Sequence, residues 1–221
     1  MNKQEFVVSN DRFYLKFEDR HYIIPAQLFH KYWKNPDFEN TLEDYKLGAD
    51  RSEKLVSLFN KYCSKDDEIL ELGCNIGRNL HYLNMAGYKY LSGIDVNQKA
   101  IDLGKTIFPD TVAKLPITCS LLEDAFLDMS PNSFDAIFSM AVLMHLHPSS
   151  EWVLQSMIQA TRKYIITAEG EGMVSIRVIP RNYKDIFEKF GMKQVEEEYV
   201  EYSNTTDNTG KIKLMYRVFK K

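Results

Sequence analysis

Two short apolar segments, each ending in an acidic residue, constrain the fold of this chain more than any other part of its sequence. The first segment ends at Glu71 and Leu72 and leads into a glycine-containing loop, and the second ends at Asp95. A helical pattern lies between them at 78–86. Strand, loop, helix and strand in this order form a unit that carries one carboxylate at the tip of each strand.

Short apolar strands and amphipathic helices alternate from about residue 52 to the end of the chain. This alternation predicts an α/β fold whose sheet is covered by helices on both faces. The predicted strands cover 69–72, 90–94, 117–121, 134–140, 164–167, 195–202 and 211–219, and the last two form a hairpin around the turn-rich segment 203–210. The predicted helices cover 78–86, 98–107 and 183–190. Ser52 and Ser150 are predicted as the N-caps of two further helices.

Residues 1–50 lack a sustained helical or strand period, although the stretch 13–22 predicts a short hairpin. We interpret this segment as an N-terminal extension that packs across the mouth of the main domain. The alternative is that its aromatic side chains merely cover one edge of the sheet. Those aromatic residues are Phe13, Tyr14, Phe17, Tyr22, Phe29, Tyr32, Trp33, Phe38 and Tyr45.

The composition of the chain excludes several classes of protein. With 221 residues, 44% of them hydrophobic and 27% charged, the chain suits one domain with a sizeable core. A net charge of −3 gives no electrostatic reason to expect a nucleic-acid partner. No apolar stretch is long enough to span a membrane or to act as a signal region, and Cys63, Cys74 and Cys119 form no Cys-x-x-Cys pair. We therefore expect a cytoplasmic protein with reduced thiols and no membrane association.

The loop after the first strand indicates a cofactor that contains a nucleoside. It reads Gly73-x-Asn75-x-Gly77, and its glycines allow a backbone to approach a ligand closely. Asp95 can accept hydrogen bonds from the ribose hydroxyls. A dinucleotide would place its diphosphate against this loop, where a nearby anion such as Glu71 is unfavourable. S-adenosylmethionine carries a sulfonium and an ammonium instead, so the same carboxylate attracts it.

With both acids at this spacing, the sequence resembles the class I S-adenosylmethionine-dependent methyltransferases, whose first motif ends a strand in an acid before a Gly-x-Gly-x-Gly loop. Asn75 stands in place of the middle glycine. The resemblance implies a doubly wound, Rossmann-like, mostly parallel seven-stranded sheet with a C-terminal antiparallel hairpin, in a domain that covers 51–221. It also implies that Glu71 holds the ammonium group of the cofactor and Asp95 the ribose, while Val96 packs against the adenine.

The same resemblance implies further contacts to the cofactor. The loop would pass along the methionine part, and the start of the segment after the third strand would meet the adenine through a backbone amide and Glu123. Either Leu121 or Leu122 supplies that amide, and the alternative is that the acids near it lie on a surface turn. The further cofactor-binding candidates are Gly73, Cys74, Asn75, Gly77, Leu122, Glu123 and Ser139, the last at the end of the fourth strand.

The residues after the fourth strand bear on which atom is methylated. The segment lacks the Asn/Asp-Pro-Pro-aromatic motif of amide and base N-methylases, and no carboxylate cluster for a divalent metal is recognisable. It reads Leu143-Met-His145-Leu146, which resembles enzymes that methylate an O or N atom of small molecules. His145 is the candidate general base, ahead of His147, because an imidazole titrates near neutral pH.

Scattered residues suggest a sugar derivative as the acceptor. Trp33-Lys-Asn, Tyr45, Arg51-Ser52 and Arg181-Asn-Tyr-x-x-x-Phe187 resemble methylases of nonulosonic-sugar biosynthesis. Two other functions stay open at this point. One is a nicotinamide-dependent oxidoreductase, and the other is a non-catalytic cofactor-binding protein with the same fold. The sequence indicates no metal site and does not fix the oligomeric state.

Overall fold

The computed structural model describes residues 5–9, 12–17, 20–35, 48–172, 175–203 and 211–221. Its strands are β1 (Glu5–Ser9), β2 (Arg12–Phe17), β3 (Arg20–Ile24), β4 (Glu68–Leu72), β5 (Tyr90–Asp95), β6 (Ile117–Cys119), β7 (Phe134–Met140), β8 (Thr161–Glu169), β9 (Lys193–Ser203) and β10 (Lys211–Lys220). Its helices are α1 (Ala26–Lys34), α2 (Ala49–Tyr62), α3 (Arg78–Met85), α4 (Gln98–Ile107), α5 (Leu122–Leu127), α6 (Trp152–Ala160) and α7 (Tyr183–Lys189). Phe38, Tyr45 and the predicted turn at 204–210 lie outside the described residues.

The main sheet has seven strands in the order β6-β5-β4-β7-β8-β10-β9. Strands β6, β5, β4, β7 and β8 are parallel, whereas β10 pairs antiparallel with both β8 and β9. The predicted α/β fold, with its mostly parallel sheet and C-terminal antiparallel hairpin, is confirmed. The chain order reverses between β4 and β7, and a ligand crevice forms at such a point in open α/β sheets.

Two hydrophobic clusters cover the two faces of this sheet. One cluster includes Leu55 and Phe59 of α2, Leu80 of α3 and Phe138 of β7. The other joins side chains of α5, α6 and α7 to the opposite face, with Phe187 fully buried. Strand β7 is apolar almost throughout because helices cover both of its faces, as is usual for a central parallel strand.

The N-terminal residues form a small unit of their own against the main domain. Strands β1, β2 and β3 make an antiparallel sheet in which β2 and β3 pair across the stretch predicted as a hairpin. Helix α1 follows and buries Phe29 against Phe13, Ile24 and Ile179. Because Ile179 belongs to the segment after β8, this small core attaches the N-terminal unit to the main domain.

The structure contradicts the two predicted N-caps. Ser52 lies inside α2, fully buried, where its hydroxyl donates to Asn79 Oδ1 at 2.7 Å. Ser150 ends a 3₁₀ turn before α6, and its hydroxyl donates to Glu123 at 2.6 Å. The residues at the two N-cap positions are instead Gly48 and Glu151, and both serine hydroxyls donate to side chains far away in the sequence. In the part of the chain that the structure describes, no helix is both long and apolar enough to cross a membrane.

Candidate active site

A cavity of about 540 Å³ lies at the ends of β4, β5 and β7 and is closed on one side by α1. This volume is within the range of about 300–1,000 Å³ that is usual for small-molecule sites. The cavity brings together most of the residues predicted from sequence. Those that line it are Glu71, Gly73, Cys74, Asn75, Asp95, Val96, Leu122, Glu123, His145 and His147.

Glu71 is a buried carboxylate with one unsatisfied oxygen. Its Oε1 accepts a hydrogen bond of 2.7 Å from Asn79 Nδ2, whereas Oε2 has no partner among the described residues. Burial raises the pKa of Glu71 to about 8, and the bond from Asn79 only partly opposes that shift. A buried acceptor without a donor costs free energy. A cationic donor bound in the cavity would account for this arrangement.

The loop glycines serve the packing of the protein itself. Gly73 has a φ of +67°, and a Cβ at this position would overlap the side chain of Val142. Its amide and that of Cys74 both donate to the carbonyl of Ile94, at 2.8 and 3.0 Å. Gly77 does not line the cavity. The sequence pattern predicts that these glycines leave room for a ligand; in the structure, Gly73 is required at least as much by the close approach of the Val142 side chain.

Asp95 is held by backbone amides at the tip of β5. Asn75 N donates to Oδ2 at 2.7 Å, and Asn97 N donates to Oδ1 at 2.8 Å. Burial raises the pKa of Asp95, and these two amides oppose the shift. Asn75 itself has a φ of +50°, a left-handed conformation that asparagine tolerates better than most residues, which explains how it replaces a glycine. Each carboxylate oxygen keeps a lone pair for a further donor.

Glu123 and Ser139 are occupied by other parts of the protein. Glu123 Oε1 accepts from Ser150 Oγ at 2.6 Å and from His30 Nε2 at 3.0 Å, which ties the start of α5 to α1. Burial raises the pKa of Glu123, but these hydrogen bonds outweigh it and the net pKa is lowered. Ser139 is fully buried and donates to Glu169 Oε1 at 2.8 Å. Because Ser139 does not line the cavity, its side chain does not contact a ligand bound there.

The two candidate histidines have different surroundings. His145 Nδ1 lies 2.7 Å from the carbonyl oxygen of Arg177, so Nδ1 carries the hydrogen and Nε2 is left as an acceptor. Burial lowers the pKa of His145 to about 4, which keeps the imidazole neutral at physiological pH. His147 instead donates from Nε2 to the carbonyl of Ile24 at 3.0 Å. His147 therefore connects the N-terminal unit to the main domain. Of these two histidines, His145 is the one with a ring nitrogen that has no partner among the described residues.

A buried carboxylate that the sequence analysis missed fixes the loop that carries His145. Glu169, at the end of β8, is fully buried and accepts hydrogen bonds from the amides of Val142, Leu143 and Met144 as well as from Ser139. Burial raises the pKa of Glu169 to about 6. Glu169 was predictable from the sequence, because it ends an apolar strand in the same way as Glu71 and Asp95 do.

Three arginines that line the cavity were also not predicted as site residues: Arg51, Arg78 and Arg177. Burial and the charge of Arg51 both lower the pKa of Arg78. Arg78 Nε donates to Ser52 Oγ at 3.0 Å. The cavity thus contains cationic as well as acidic groups. In the described parts of the chain, no set of three or more His, Cys, Asp or Glu side chains could hold a metal ion.

Helix α1 supplies aromatic side chains to the cavity. The rings of Trp33 and His145 have centroids 4.3 Å apart, and Arg177 lies over the ring of Tyr32 at 3.7 Å. Phe29 packs edge-on against His147 at 5.4 Å. These contacts hold α1 against the loop after β7 and the segment after β8.

Residues 69–164 match the family model of a methyltransferase domain. No curated protein is similar enough in sequence to match the chain. The structure is similar to that of the magnesium protoporphyrin IX methyltransferase of Synechocystis PCC 6803 with bound S-adenosylhomocysteine, at 11% identity, with 89% of this chain and 100% of that chain covered and a TM-score of 0.67.

Two other solved structures share the fold. One is an S-adenosylmethionine-dependent methyltransferase from Methanosarcina mazei, at 18% identity, with 74% of this chain and 96% of that chain covered and a TM-score of 0.59. The other is the [4+2]-cyclase SpnF, at 12% identity, with 76% of this chain and 80% of that chain covered and a TM-score of 0.61. At these identities the similarity concerns the fold alone.

Proposed function

Since this chain carries an S-adenosylmethionine-dependent methyltransferase domain, we propose that it transfers the methyl group to an O or N atom of a small molecule. The observation that carries this proposal is the pair of buried carboxylates at the cavity, Glu71 and Asp95, of which Glu71 has an unsatisfied oxygen. A cationic amino acid end would supply the donor that Glu71 Oε2 lacks, and a ribose would donate to the remaining lone pairs of Asp95. A dinucleotide would bring a diphosphate to Glu71; a diphosphate has no N–H donor for the unsatisfied oxygen, and it repels Glu71 once this side chain ionises.

The residues present suit each part of S-adenosylmethionine. Glu71 would receive its ammonium group and Asp95 its ribose hydroxyls, while Val96 and Leu122 offer apolar surface to the adenine. Arg51 lines the same cavity and is the group we assign to the carboxylate of the methionine part. When bound, S-adenosylmethionine supplies a methyl group that its sulfonium has activated for displacement.

The task of the protein is to orient the acceptor and to exclude water, because methyl transfer needs an in-line approach of the nucleophile. Alignment of this kind lowers barriers by up to about 7–11 kcal/mol. Trp33 and Tyr32 of α1 close the cavity beside His145. If His145 acts as the base, Nε2 is the atom that would take the proton, since Nδ1 is committed to the carbonyl of Arg177. Burial lowers the pKa of His145 to about 4 and so makes it a weaker base than an imidazole that titrates near neutral pH.

The N-terminal unit and the sugar acceptor belong to the same proposal. We assign residues 1–50 the role of covering the acceptor side, since α1 borders the cavity. A sugar derivative is one acceptor class that the sequence resemblance supports. Of the residues behind that resemblance, Trp33 and Arg51 line the cavity, whereas Arg181 donates to the carbonyls of Leu143 and Leu146 and so has a structural role.

Calorimetric titration with S-adenosylhomocysteine tests the cofactor assignment, and release of this product during incubation with candidate acceptors tests turnover. We expect micromolar binding and a loss of about tenfold or more in Asp95→Ala, since a hydrogen bond between a charged group and a ligand contributes about 1.5–3 kcal/mol. Asp95→Asn is the matched control, because it keeps one acceptor oxygen. A protein that binds neither S-adenosylmethionine nor its product, or that binds NADH instead, would overturn the proposal.

A further inference from the structure

Arg177 is a cation at the cavity, and among the described residues it has no carboxylate partner. It lies in a tight turn in which Ser175 and Val178 exchange backbone hydrogen bonds of 3.1 and 3.3 Å. Its guanidinium carbon lies 3.7 Å from the ring centroid of Tyr32. Within the described residues, no Asp or Glu oxygen pairs with this guanidinium, whereas the neighbouring Arg181 is paired with Glu151. An aromatic face holds an arginine in place but leaves its N–H donors available in the plane.

The surroundings of Arg177 form one corner of the cavity, which we call the acceptor corner and define as Tyr32, Trp33, His145 and Arg177. The carbonyl of Arg177 accepts from His145 Nδ1 at 2.7 Å, so the backbone of Arg177 is held next to the imidazole, whose Nε2 has no partner among the described residues. The amide of Ile179 donates to the carbonyl of Met144 at 2.8 Å, which fixes the turn to the loop after β7. Trp33 adds a buried Nε1–H that has no partner among the described residues.

The acids that line the cavity do not neutralise this corner. Glu71 and Asp95 lie at the tips of β4 and β5, and Glu123 is occupied by His30 and Ser150. In the part of the chain that the structure describes, neither the half-buried guanidinium of Arg177 nor the indole N–H of Trp33 has a hydrogen-bond acceptor, and a carboxylate or phosphate would supply several acceptor oxygens. The sulfonium of the methyl donor would also attract an anion in this cavity.

We propose that the methyl acceptor is a small molecule with a carboxylate or phosphate group, and that Arg177 binds this group while the acceptor body packs against Trp33. This inference rests on the proposed function, because it names the class of its acceptor. Arg177 is then a specificity-determining residue. The charged group would anchor the acceptor next to His145 Nε2, on the side of the cavity that α1 closes.

Binding of three small probes to the protein saturated with S-adenosylhomocysteine tests the inference. Benzoate and phenyl phosphate carry the two candidate anions, and benzamide is the neutral control of the same shape. The chain has two tryptophans, so a Trp152→Phe background leaves Trp33 as the fluorescent reporter in the acceptor corner. The comparison uses Arg177→Gln, Arg177→Lys and the control Arg20→Gln, which removes an equal charge from an exposed position on β3.

We expect one or both anions to bind at least about tenfold more tightly than benzamide, a factor that corresponds to one charge-assisted contact. Arg177→Gln should abolish this preference, whereas Arg177→Lys keeps part of it and Arg20→Gln keeps all of it. If benzoate shows the larger preference over benzamide, the acceptor carries a carboxylate; if phenyl phosphate does, it carries a phosphate. Equal binding of charged and neutral probes, binding of none of them, or a preference that survives in Arg177→Gln would each overturn the inference. Unchanged binding of S-adenosylhomocysteine in Arg177→Gln shows that the variant is folded, and failure of the wild type to bind it would instead refute the proposed function.

Discussion

Ionisation of Glu71 should set the pH dependence of cofactor binding. Burial raises the pKa of this side chain to about 8, so that it is mostly protonated in the free protein near neutral pH. A bound ammonium group favours the carboxylate, and binding must therefore release a proton. Since one pKa unit is worth somewhat more than 1 kcal/mol, ionising Glu71 costs roughly 3 kcal/mol at about pH 6 and roughly half of that at about pH 7.

Affinity for S-adenosylhomocysteine should therefore rise about tenfold per pH unit below about pH 8 and then level off. Calorimetric titrations in buffers with different ionisation enthalpies measure both the affinity and the number of protons released. We expect close to one proton per ligand at the acidic end of this range. Glu71→Gln is the matched control, because it keeps the size of the side chain and cannot ionise; its affinity should stay flat. A wild-type profile no steeper than that of the variant would refute the reasoning.

The same shift predicts how folding stability depends on pH. The pKa of Glu71 is raised from 4.5 in the unfolded chain to about 8 in the folded protein. Its contribution to stability is thus fully present below about pH 4.5 and is lost as the pH rises to about 8, by roughly 5 kcal/mol in total. Glu71→Gln should lose far less stability over this interval, which urea unfolding at several pH values would measure.

Three further predictions concern the structure around the cavity. Gly73→Ala should destabilise the protein by about 2–4 kcal/mol in urea unfolding, because it combines a left-handed backbone with overlap on Val142, and adding Val142→Ala should restore part of this loss. Burial lowers the pKa of His145 from 6.5 to about 4, so the stability that the neutral ring contributes is present above about pH 6.5 and is lost as the pH falls toward 4. Nitrogen NMR at about pH 6 should therefore find the neutral Nδ1–H tautomer. A charged ring at that pH would contradict this prediction. Glu169→Gln should lower the free energy of unfolding by about 3–5 kcal/mol and accelerate hydrogen exchange at amides 142–144, because it replaces a buried carboxylate that accepts from several backbone amides. Unchanged exchange would show that Glu169 does not anchor the loop.

Elements with a strong local pattern were predictable from the sequence. Strand β7 and helix α4 have the predicted bounds, because a continuous apolar run and a regular helical stripe each depend on nearby residues only. Glu71 and Asp95 were found for the same reason, since each directly follows an apolar segment. Helix α1 was missed although Pro25 precedes it and Phe29 and Trp33 have helical spacing.

What the sequence analysis could not provide depends on contacts between distant residues. Serine often caps helices, but inside the fold the hydroxyl of Ser52 donates to Asn79 and accepts from Arg78. Arg177 lies in an irregular segment without a motif, and its position at the cavity follows from Tyr32 at the other end of the chain. No local pattern encodes such a pairing, so only the folded structure brings these residues together.

Separate segments of the sequence border the two sides of the cavity, and this separation bears on how substrate specificity can evolve. Residues 26–34 border the side of the cavity that we assign to the acceptor, while Glu71 and Asp95 belong to a separate stretch of sequence. On the assignment proposed above, mutations in the short helix would alter which compound is methylated without changing the two acids to which we assign the methyl donor. Related proteins with this arrangement could therefore differ in acceptor specificity through changes in α1 and still bind the same cofactor in the same way.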